Sequence, residues 1–265
     1  MARLHGFTKK QLLEIYNKML LSRKLDEKML VLLKQGKSYF HIGASGHEAA
    51  QMAAAILIRP GEDWSFPYYR DGAYCLGLGM TSREQLLNFL AKADDPNSGG
   101  RQMPQHFGHK KLRIVSQSSP TGTQFLQAVG VALTCKIEKE KNIVYVSAGE
   151  GTTSQGDFHE ALNWASNARA PVVFHIQDNE YAISTHRSEQ MSDSVYMMTS
   201  GYKNLARYNV DGTNFFESNL AFKQAIERAR KGKGPSVIVS NVIRLLPHSS
   251  SDDQRKYRTK KSLEI

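Results

Sequence analysis

The chain has little cysteine and no long apolar run. Its 265 residues include only two cysteines, Cys75 and Cys135, which are too few for a disulfide scaffold at this size. Neither has a neighbour at metal-ligand spacing, so we expect both to be small buried side chains in a reducing compartment. No apolar stretch approaches the ~20 residues that span a bilayer. These absences argue against a disulfide-stapled protein and against a membrane partner.

Charge of one sign is in excess, with a formal net charge of +10. A basic protein can bind nucleic acid, but the chain has neither a known nucleic-acid module nor a basic stretch interleaved with aromatic residues. We therefore expect a solvated basic face or a surface that docks to an acidic partner, and no nucleic-acid partner. The 40% hydrophobic and 23% charged content is ordinary for a globular protein.

Strand-like and helix-like stretches alternate in the second half of the chain. This alternation predicts an α/β domain with a parallel sheet flanked by helices. On the last helix, Leu220, Ile226 and Ala229 are expected in the core. The predicted elements are a helix over 124–136, strand 143–147, helix 154–168, strand 171–176, loop 182–200, a strand near 208–210, helix 214–231 and strand 235–244.

The first half is mainly helical. Thr8, with Gln11 three residues later, has the pattern of a capping box at the start of a long helix over 8–34, and Ser82 with Gln85 is the expected start of another. Residues 94–120 lack a period, and long irregular connections of this kind are usually functional or mobile. We expect one domain over 1–265 that contains helices 8–34, 46–57, 73–80 and 82–91 and an extended segment 63–70.

The stretch from Gly149 to Tyr181 carries the strongest functional signal. Glu150 directly follows one predicted strand and Asn179 follows the next, and the ends of successive parallel strands meet at one edge of a sheet. Glycines on both sides of Glu150 would let a phosphate approach the backbone closely. The start of the next helix would offer free N–H groups to the same phosphate. Carboxylate and amide oxygens suit Mg²⁺. Two interpretations remain equally weighted here: a metal–diphosphate crevice, and an ordinary strand-to-helix turn.

A polar run near the end of the chain contains His248, Ser249 and Asp252. These residue types suggest a hydrolytic triad, but they are neighbours in a polar run, without a nucleophile on a strained turn. A solvated loop is the expected structure.

Several segments, taken in order along the chain, are similar to one known family. The matching segments are Tyr68-Tyr69-Arg70-Asp71, Gly99-Gly100-Arg101-Gln102-Met103-Pro104, Ser118-Ser119-Pro120, Gly149-Glu150-Gly151, Gly156-Asp157-Phe158-His159-Glu160, Asn179-Glu180-Tyr181-Ala182-Ile183-Ser184, and His248-Ser249 with Asp252-Asp253 and Tyr257-Arg258. Through these segments the chain resembles the alpha subunit of thiamine-diphosphate-dependent 2-oxo acid dehydrogenases, with the branched-chain type most similar. The resemblance implies a thiamine-diphosphate-binding fold.

The resemblance also implies roles for individual residues. His248 would be catalytic, and Ser249 would be a regulatory phosphorylation site. Mg²⁺ would be held by Glu150, Asn179 and the carbonyl of Tyr181. The residues implied to bind thiamine diphosphate are Tyr69, Arg70, Ser119, Thr121, Gly149, Glu150, Gly151, Thr152, Asn179, Tyr181 and His248. Those matching a K⁺ site are Ser118, Pro120, Thr123 and Gln124.

Two residues depart from the family pattern. Asp178 stands where the family usually has Asn, which adds an acid near an anionic cofactor. Gln177 stands where branched-chain relatives often have Arg, so one diphosphate contact is expected to be weaker.

The resemblance further implies that this chain holds half of an active site. No candidate is found for the glutamate that activates the cofactor, which the family places on a beta subunit. We expect an alpha2beta2 assembly or a fused beta segment, a lipoyl-bearing transacylase and a small 2-oxo acid substrate. The location would be cytoplasmic, or the mitochondrial matrix in a eukaryote. The end at Ile265 suggests a truncation or part of an alpha–beta fusion. A pyruvate- or acetoin-type dehydrogenase subunit and a non-catalytic scaffold are the alternatives.

Overall fold

A sheet of five parallel strands forms the centre of the computed structural model, which describes residues 4–263. The strands are β1 Trp64–Phe66, β2 Val144–Gly149, β3 Val172–Asp178, β4 Tyr181–Ala182, β5 Thr185–His186, β6 Ala206–Asp211 and β7 Ser236–Asn241. The strand order in the sheet is β1-β2-β3-β7-β6, and β4 and β5 form a short antiparallel hairpin.

Helices cover both faces of this sheet. Helices α5 and α6 pack on one face, α2, α3 and α9 pack on the other, and α1 packs outside α2 and α3. The helices are α1 Lys9–Lys34, α2 Glu48–Ala55, α3 Gly72–Leu78, α4 Ser82–Phe89, α5 Thr123–Ile137, α6 Gly156–Ala168, α7 Arg187–Gln190, α8 Val195–Met198, α9 Phe215–Arg230 and α10 Lys260–Leu263. Among residues 4–263, no helix is both long and apolar enough to cross a membrane.

Each central strand contains a continuous apolar run, because both faces of these strands are buried. On β2, Val144 and Val146 point into the core beneath α5 and α6, whereas Tyr145 points into the core beneath α2, α3 and α9. The start of α1 is also explained locally: the Thr8 hydroxyl accepts the backbone N–H of Gln11, and the Gln11 side chain accepts that of Thr8. The predicted capping box and α/β architecture are confirmed.

Three local predictions were wrong. Helix α4 is capped by Thr81, with Glu84 as its partner, since Thr81 has the extended backbone that a cap requires. The predicted loop 182–200 contains β5, α7 and α8, which are too short to show a period. Leu220 is 58% exposed, because it lies on the solvent side of α9.

The carboxyl ends of the strands meet at one edge, as the parallel order requires. Gly149 at the end of β2 lies opposite Gln177 on β3, and Asp178 lies opposite Asn241 on β7. The loops that follow β2 and β3 are therefore neighbours at this edge.

Candidate active site

A cavity of about 340 Å³ opens at the carboxyl edge of the sheet, within the size range of small-molecule sites. All eleven residues that the sequence predicts to contact the cofactor line it, although their roles remain predictions. The lining residues are Phe40, Ile42, Tyr68, Tyr69, Arg70, Met103, His106, Ser119, Thr121, Gly149, Glu150, Gly151, Thr152, Asn179, Tyr181, Ala182, Ile183 and His248.

Glu150 is the buried acid of this cavity. It begins the 3-10 turn Glu150–Ser154 that follows β2, and only 1% of its surface is exposed. Its Oε2 accepts the backbone N–H of Asn179 at 3.0 Å. Burial raises the pKa of Glu150 to about 7, and the nearby Asp178 carboxylate adds to the rise. A cation at this carboxylate would offset both effects, because it stabilises the ionised form.

Asn179 and Tyr181 place two further oxygens in the lining. The side-chain Oδ1 of Asn179 is buried and has no hydrogen-bond partner among the described residues. The Tyr181 carbonyl receives a long contact of 3.4 Å from Arg244 Nη1. A carboxylate, an amide oxygen and a carbonyl are hard ligands that suit Mg²⁺ together with phosphate and water oxygens. The orphaned Asn179 oxygen therefore fits the implied metal.

No alternative metal centre of the usual kind competes with this set. Over residues 4–263, no group of three or more His, Cys, Asp or Glu side chains could hold an ion.

The two glycines beside Glu150 differ in whether packing within the protein requires a residue without a Cβ. A Cβ on Gly151 would lie 2.5 Å from the Cβ of Ala182, closer than real contacts allow, so packing demands the glycine. A Cβ on Gly149 would meet only ordinary contacts, the nearest at 3.9 Å from the Tyr68 ring. Packing within the protein does not explain Gly149, which leaves close approach by a ligand as a reason.

The start of α6 lies further from the cavity than expected. The helix begins at Gly156, and the 3-10 turn lies between it and β2. Thr152 is the last residue of this segment in the lining. The turn, and not the helix N-terminus, thus contributes to the lining of the cavity.

Arg70 links the cavity to the polar loop at the end of the chain. Its Nη1 donates to the Gly43 carbonyl at 2.7 Å, and its Nη2 donates to the His248 carbonyl at 3.0 Å and contacts His248 Nδ1 at 3.1 Å. These contacts use three of the five guanidinium N–H groups, so two remain for an anion. The loop is thereby ordered and brings His248 into the lining, where a solvated loop was expected.

Seven lining residues were not predicted as site residues. Four of them lie within segments that match the family, which was the only signal for them: Tyr68, Met103, Ala182 and Ile183. Phe40 and Ile42 follow α1 in an irregular segment without any signal. The seven are Phe40, Ile42, Tyr68, Met103, His106, Ala182 and Ile183.

His106 and Ser119 form a hydrogen-bonded pair in the same lining. The Ser119 hydroxyl lies 2.8 Å from His106 Nε2, and His106 Nδ1 lies 3.3 Å from the Pro104 carbonyl. Since a carbonyl can only accept, Nδ1 carries the proton and Nε2 accepts from Ser119.

Gln177 does not face the cavity. It is fully buried; its amide donates to Asp71 Oδ1 at 2.6 Å, and its oxygen accepts from His47 and Gln51, both at 2.9 Å. The weaker diphosphate contact expected at this position remains a prediction, and it is supported by the direction of the Gln177 side chain, which turns into the interior.

The Asp178 carboxylate forms an ion pair with Arg187. Its Oδ2 lies 2.6 Å from Arg187 Nη1, and its Oδ1 accepts the backbone N–H of Glu180. Arg187 pairs with the extra acid, although the Asp178 carboxylate still contributes to the raised pKa of Glu150.

The residues that match a K⁺ site lie together but are partly occupied by protein contacts. The Thr123 hydroxyl lies 3.3 Å from the Pro120 carbonyl. The Gln124 oxygen accepts the Gly122 N–H and its amide donates to Ser147. Gln124 would have to turn to bind an ion, and K⁺ binding by these residues and Ser118 remains a prediction.

Ser249, the predicted regulatory residue, is buried at 6% exposure. Its hydroxyl lies 3.0 Å from that of Ser251. A modifying enzyme would reach it only after the loop opens, and its regulation remains a prediction.

Comparison with solved structures identifies the class of fold. Transketolase from Campylobacter jejuni subsp. jejuni NCTC 11168 aligns with a TM-score of 0.67 over 86% of this chain and 37% of that chain, at 15% sequence identity. The chain therefore shares the fold of this transketolase, and the predicted class of fold is confirmed.

Comparison of sequences identifies the family. The family model described as the dehydrogenase E1 component matches residues 16–265. The chain belongs to that family, and its predicted likeness to the branched-chain type is confirmed.

The relatives differ in how much of their length this chain spans. The 2-oxoisovalerate dehydrogenase subunit alpha of Bacillus subtilis (strain 168) is 44% identical over 98% of this chain and 78% of the relative. The protein of that name from Pseudomonas aeruginosa is 34% identical over 94% of this chain and 60% of its own length. The pyruvate dehydrogenase E1 component subunit alpha of Staphylococcus aureus (strain Mu50) is 32% identical over 95% of this chain and 65% of its own length.

Proposed function

We propose that this chain is the alpha subunit, or alpha part, of a branched-chain 2-oxo acid dehydrogenase that binds thiamine diphosphate and Mg²⁺. One observation carries the proposal: buried Glu150, the unpartnered oxygen of Asn179 and the guanidinium of Arg70 line one cavity at the carboxyl edge of the sheet. Such edges are where open parallel sheets bind ligands.

The diphosphate end of the cofactor would lie against the turn after β2. Glu150, Asn179 and the Tyr181 carbonyl would hold Mg²⁺, while Arg70 would give its two free N–H groups to phosphate oxygens. The remaining contacts to the cofactor would come from Tyr69, Ser119 and Thr121. When bound, thiamine diphosphate supplies the nucleophilic carbon and the electron sink that decarboxylation of a 2-oxo acid requires.

The lining supports the need for a second chain. Glu150 is the one carboxylate among the described residues that line the cavity, and in this proposal it is engaged by the metal. The acid that activates the cofactor would therefore come from a beta subunit or a fused beta segment in an alpha2beta2 assembly. The acyl group would pass to a lipoyl group on a transacylase.

Apolar side chains in the lining support a branched aliphatic substrate. Four of them are Phe40, Ile42, Met103 and Ile183. Burying methyl groups against apolar side chains gains free energy, about 0.8 kcal/mol for each CH₂, and pyruvate would bury less apolar surface there.

Calorimetry tests cofactor binding. The chain is titrated with thiamine diphosphate in the presence of Mg²⁺ and of a beta subunit from a related enzyme. We expect heat of binding for the wild type and for Glu160→Gln, whose side chain is exposed on α6, and its loss for Glu150→Gln. Absence of heat for the wild type would favour the non-catalytic scaffold.

Initial rates test the substrate. The reconstituted assembly is assayed with pyruvate, 2-oxobutanoate and 3-methyl-2-oxobutanoate, and we expect kcat/KM to rise with the size of the side chain. A preference for pyruvate would assign the chain to the pyruvate type instead.

A further inference from the structure

The contact between Arg70 and His248 determines which ring nitrogen of His248 can carry a proton. Arg70 is only 2% exposed. Its Nη2 lies 3.1 Å from His248 Nδ1 and 3.0 Å from the carbonyl oxygen of the same residue. Nη2 carries two hydrogens, so it can make both contacts at once.

A guanidinium has five N–H donors, no acceptor and a charge that it does not lose in proteins. His248 Nδ1 must therefore be the acceptor, with its lone pair directed at Arg70. A proton on Nδ1 would face another N–H and lose this bond. In the neutral ring the single proton consequently lies on Nε2.

The surroundings also keep the ring neutral. Burial is the main reason that the pKa of His248 falls from 6.5 to about 4, and the charges of Arg70 and Arg244 lower it further. Asp252 opposes this effect only weakly, while its carboxylate holds the His248 backbone N–H at 2.7 Å. The Tyr69 ring packs edge-on, with ring centroids 6.1 Å apart.

We propose that Arg70 fixes His248 in the neutral form with its proton on Nε2, so that His248 serves as a hydrogen-bond donor to an oxygen of the substrate. The Nε2 atom has no hydrogen-bond partner among the described residues, and the ring lines the cavity. The role in the reaction rests on the proposed function, whereas the tautomer follows from this chain alone. Arg70 is thus a positioning residue in addition to an anion-binding one.

His106 offers an internal comparison in the same cavity. Its Nδ1 donates to the Pro104 carbonyl and its Nε2 accepts from Ser119, so it carries its proton on the opposite nitrogen from His248. The cavity would hold two neutral histidines in opposite tautomers, one presenting an N–H and the other a lone pair.

Nitrogen-15 NMR of the full chain with labelled histidine tests the proposal directly. Two-bond proton–nitrogen correlations distinguish protonated from unprotonated ring nitrogens, and His248→Asn and His106→Asn assign the two signals. We expect protonated Nε2 in His248, protonated Nδ1 in His106, and a His248 ring that stays neutral as the pH falls from 8 to about 5. A proton on Nδ1 of His248, or a titration midpoint near 6.5, would overturn the proposal.

Arg70→Gln examines the cause. It removes the charge, so we expect both tautomers of His248 to be populated and its titration midpoint to move up from that of the wild type, toward 6.5. An unchanged spectrum would show that Arg70 does not set the tautomer. If this variant does not fold, the wild-type spectrum still decides, because the proposal predicts it without any substitution.

The outcome is separable from that of the proposed function. The spectra need no cofactor, partner or turnover, and the calorimetric test of cofactor binding does not depend on the tautomer. Repeating the wild-type spectrum with thiamine diphosphate and Mg²⁺ would show whether Arg70 keeps this contact when an anion is present, and a switch to protonated Nδ1 there would refute the donor role.

Discussion

Replacing Glu150 by Gln should stabilise the metal-free protein at alkaline pH. The fold raises the pKa of this carboxyl from 4.5 to about 7. Proton binding to this carboxyl therefore adds to the free energy of unfolding. The added free energy is fully present below pH 4.5 and is lost as the pH rises through about 7. At about 1.4 kcal/mol for each pK unit, keeping the buried carboxylate ionised costs roughly 3 kcal/mol above pH 8.

Glutamine retains the oxygen that accepts the Asn179 N–H but carries no charge. Urea unfolding in EDTA should show a Glu150→Gln variant close to wild type at pH 5 and roughly 3 kcal/mol more stable at pH 8.5, equivalent to roughly 2–4 °C in Tm for each kcal/mol. Mg²⁺ with thiamine diphosphate should then stabilise the wild type but not the variant.

Glu160→Gln is the matched control, since that side chain is exposed on α6 and should give no pH-dependent difference. The reasoning is refuted if the wild type and Glu150→Gln have the same stability at pH 8.5, or if their difference does not change with pH. Either result would mean that the carboxylate is better solvated than its burial indicates.

Two further predictions concern packing. Gly151→Ala would press a Cβ against Ala182 at 2.5 Å, so we expect the free energy of unfolding in urea to fall by about 1–3 kcal/mol. The control is Gly156→Ala, where no atom lies within 4 Å; it should change this free energy by less than about 1 kcal/mol, and equal losses would contradict the close contact. Leu220→Ala should leave the free energy of unfolding within about 0.5 kcal/mol of the wild-type value, because the side chain is 58% exposed. Ile226→Ala on the same helix removes a side chain that is 5% exposed and should lower it by about 2–5 kcal/mol. Similar losses at both sites would mean that the outer side of α9 is covered in solution.

The alternation of apolar stretches was sufficient to predict the sheet and its flanking helices. Val144 and Val172 begin strands whose two faces are buried, and such strands show as short apolar runs between helix-like segments. The nearness of Glu150 and Asn179 followed as well, because parallel strands end at a common edge. The short elements after Tyr181 were missed, since so few residues show no periodicity.

Local sequence could not reveal the network beneath the cavity. Gln177 joins Asp71 at 2.6 Å and Gln51 at 2.9 Å, and these residues come from three separate segments. Their contacts depend on how α2 and α3 pack on the sheet, which is a property of the whole core.

The sequence by itself determined the class of fold, the family and the edge at which the residues predicted to bind the cofactor would gather, because periodicity and short motifs are properties of consecutive residues. Only the tertiary structure decided which residues complete the site. It brought Phe40 and Ile42 to the wall of the cavity and joined Arg70 to His248 across 178 positions of the chain. Such contacts arise from the packing of irregular segments, in which no residue spacing records the neighbour that each side chain meets.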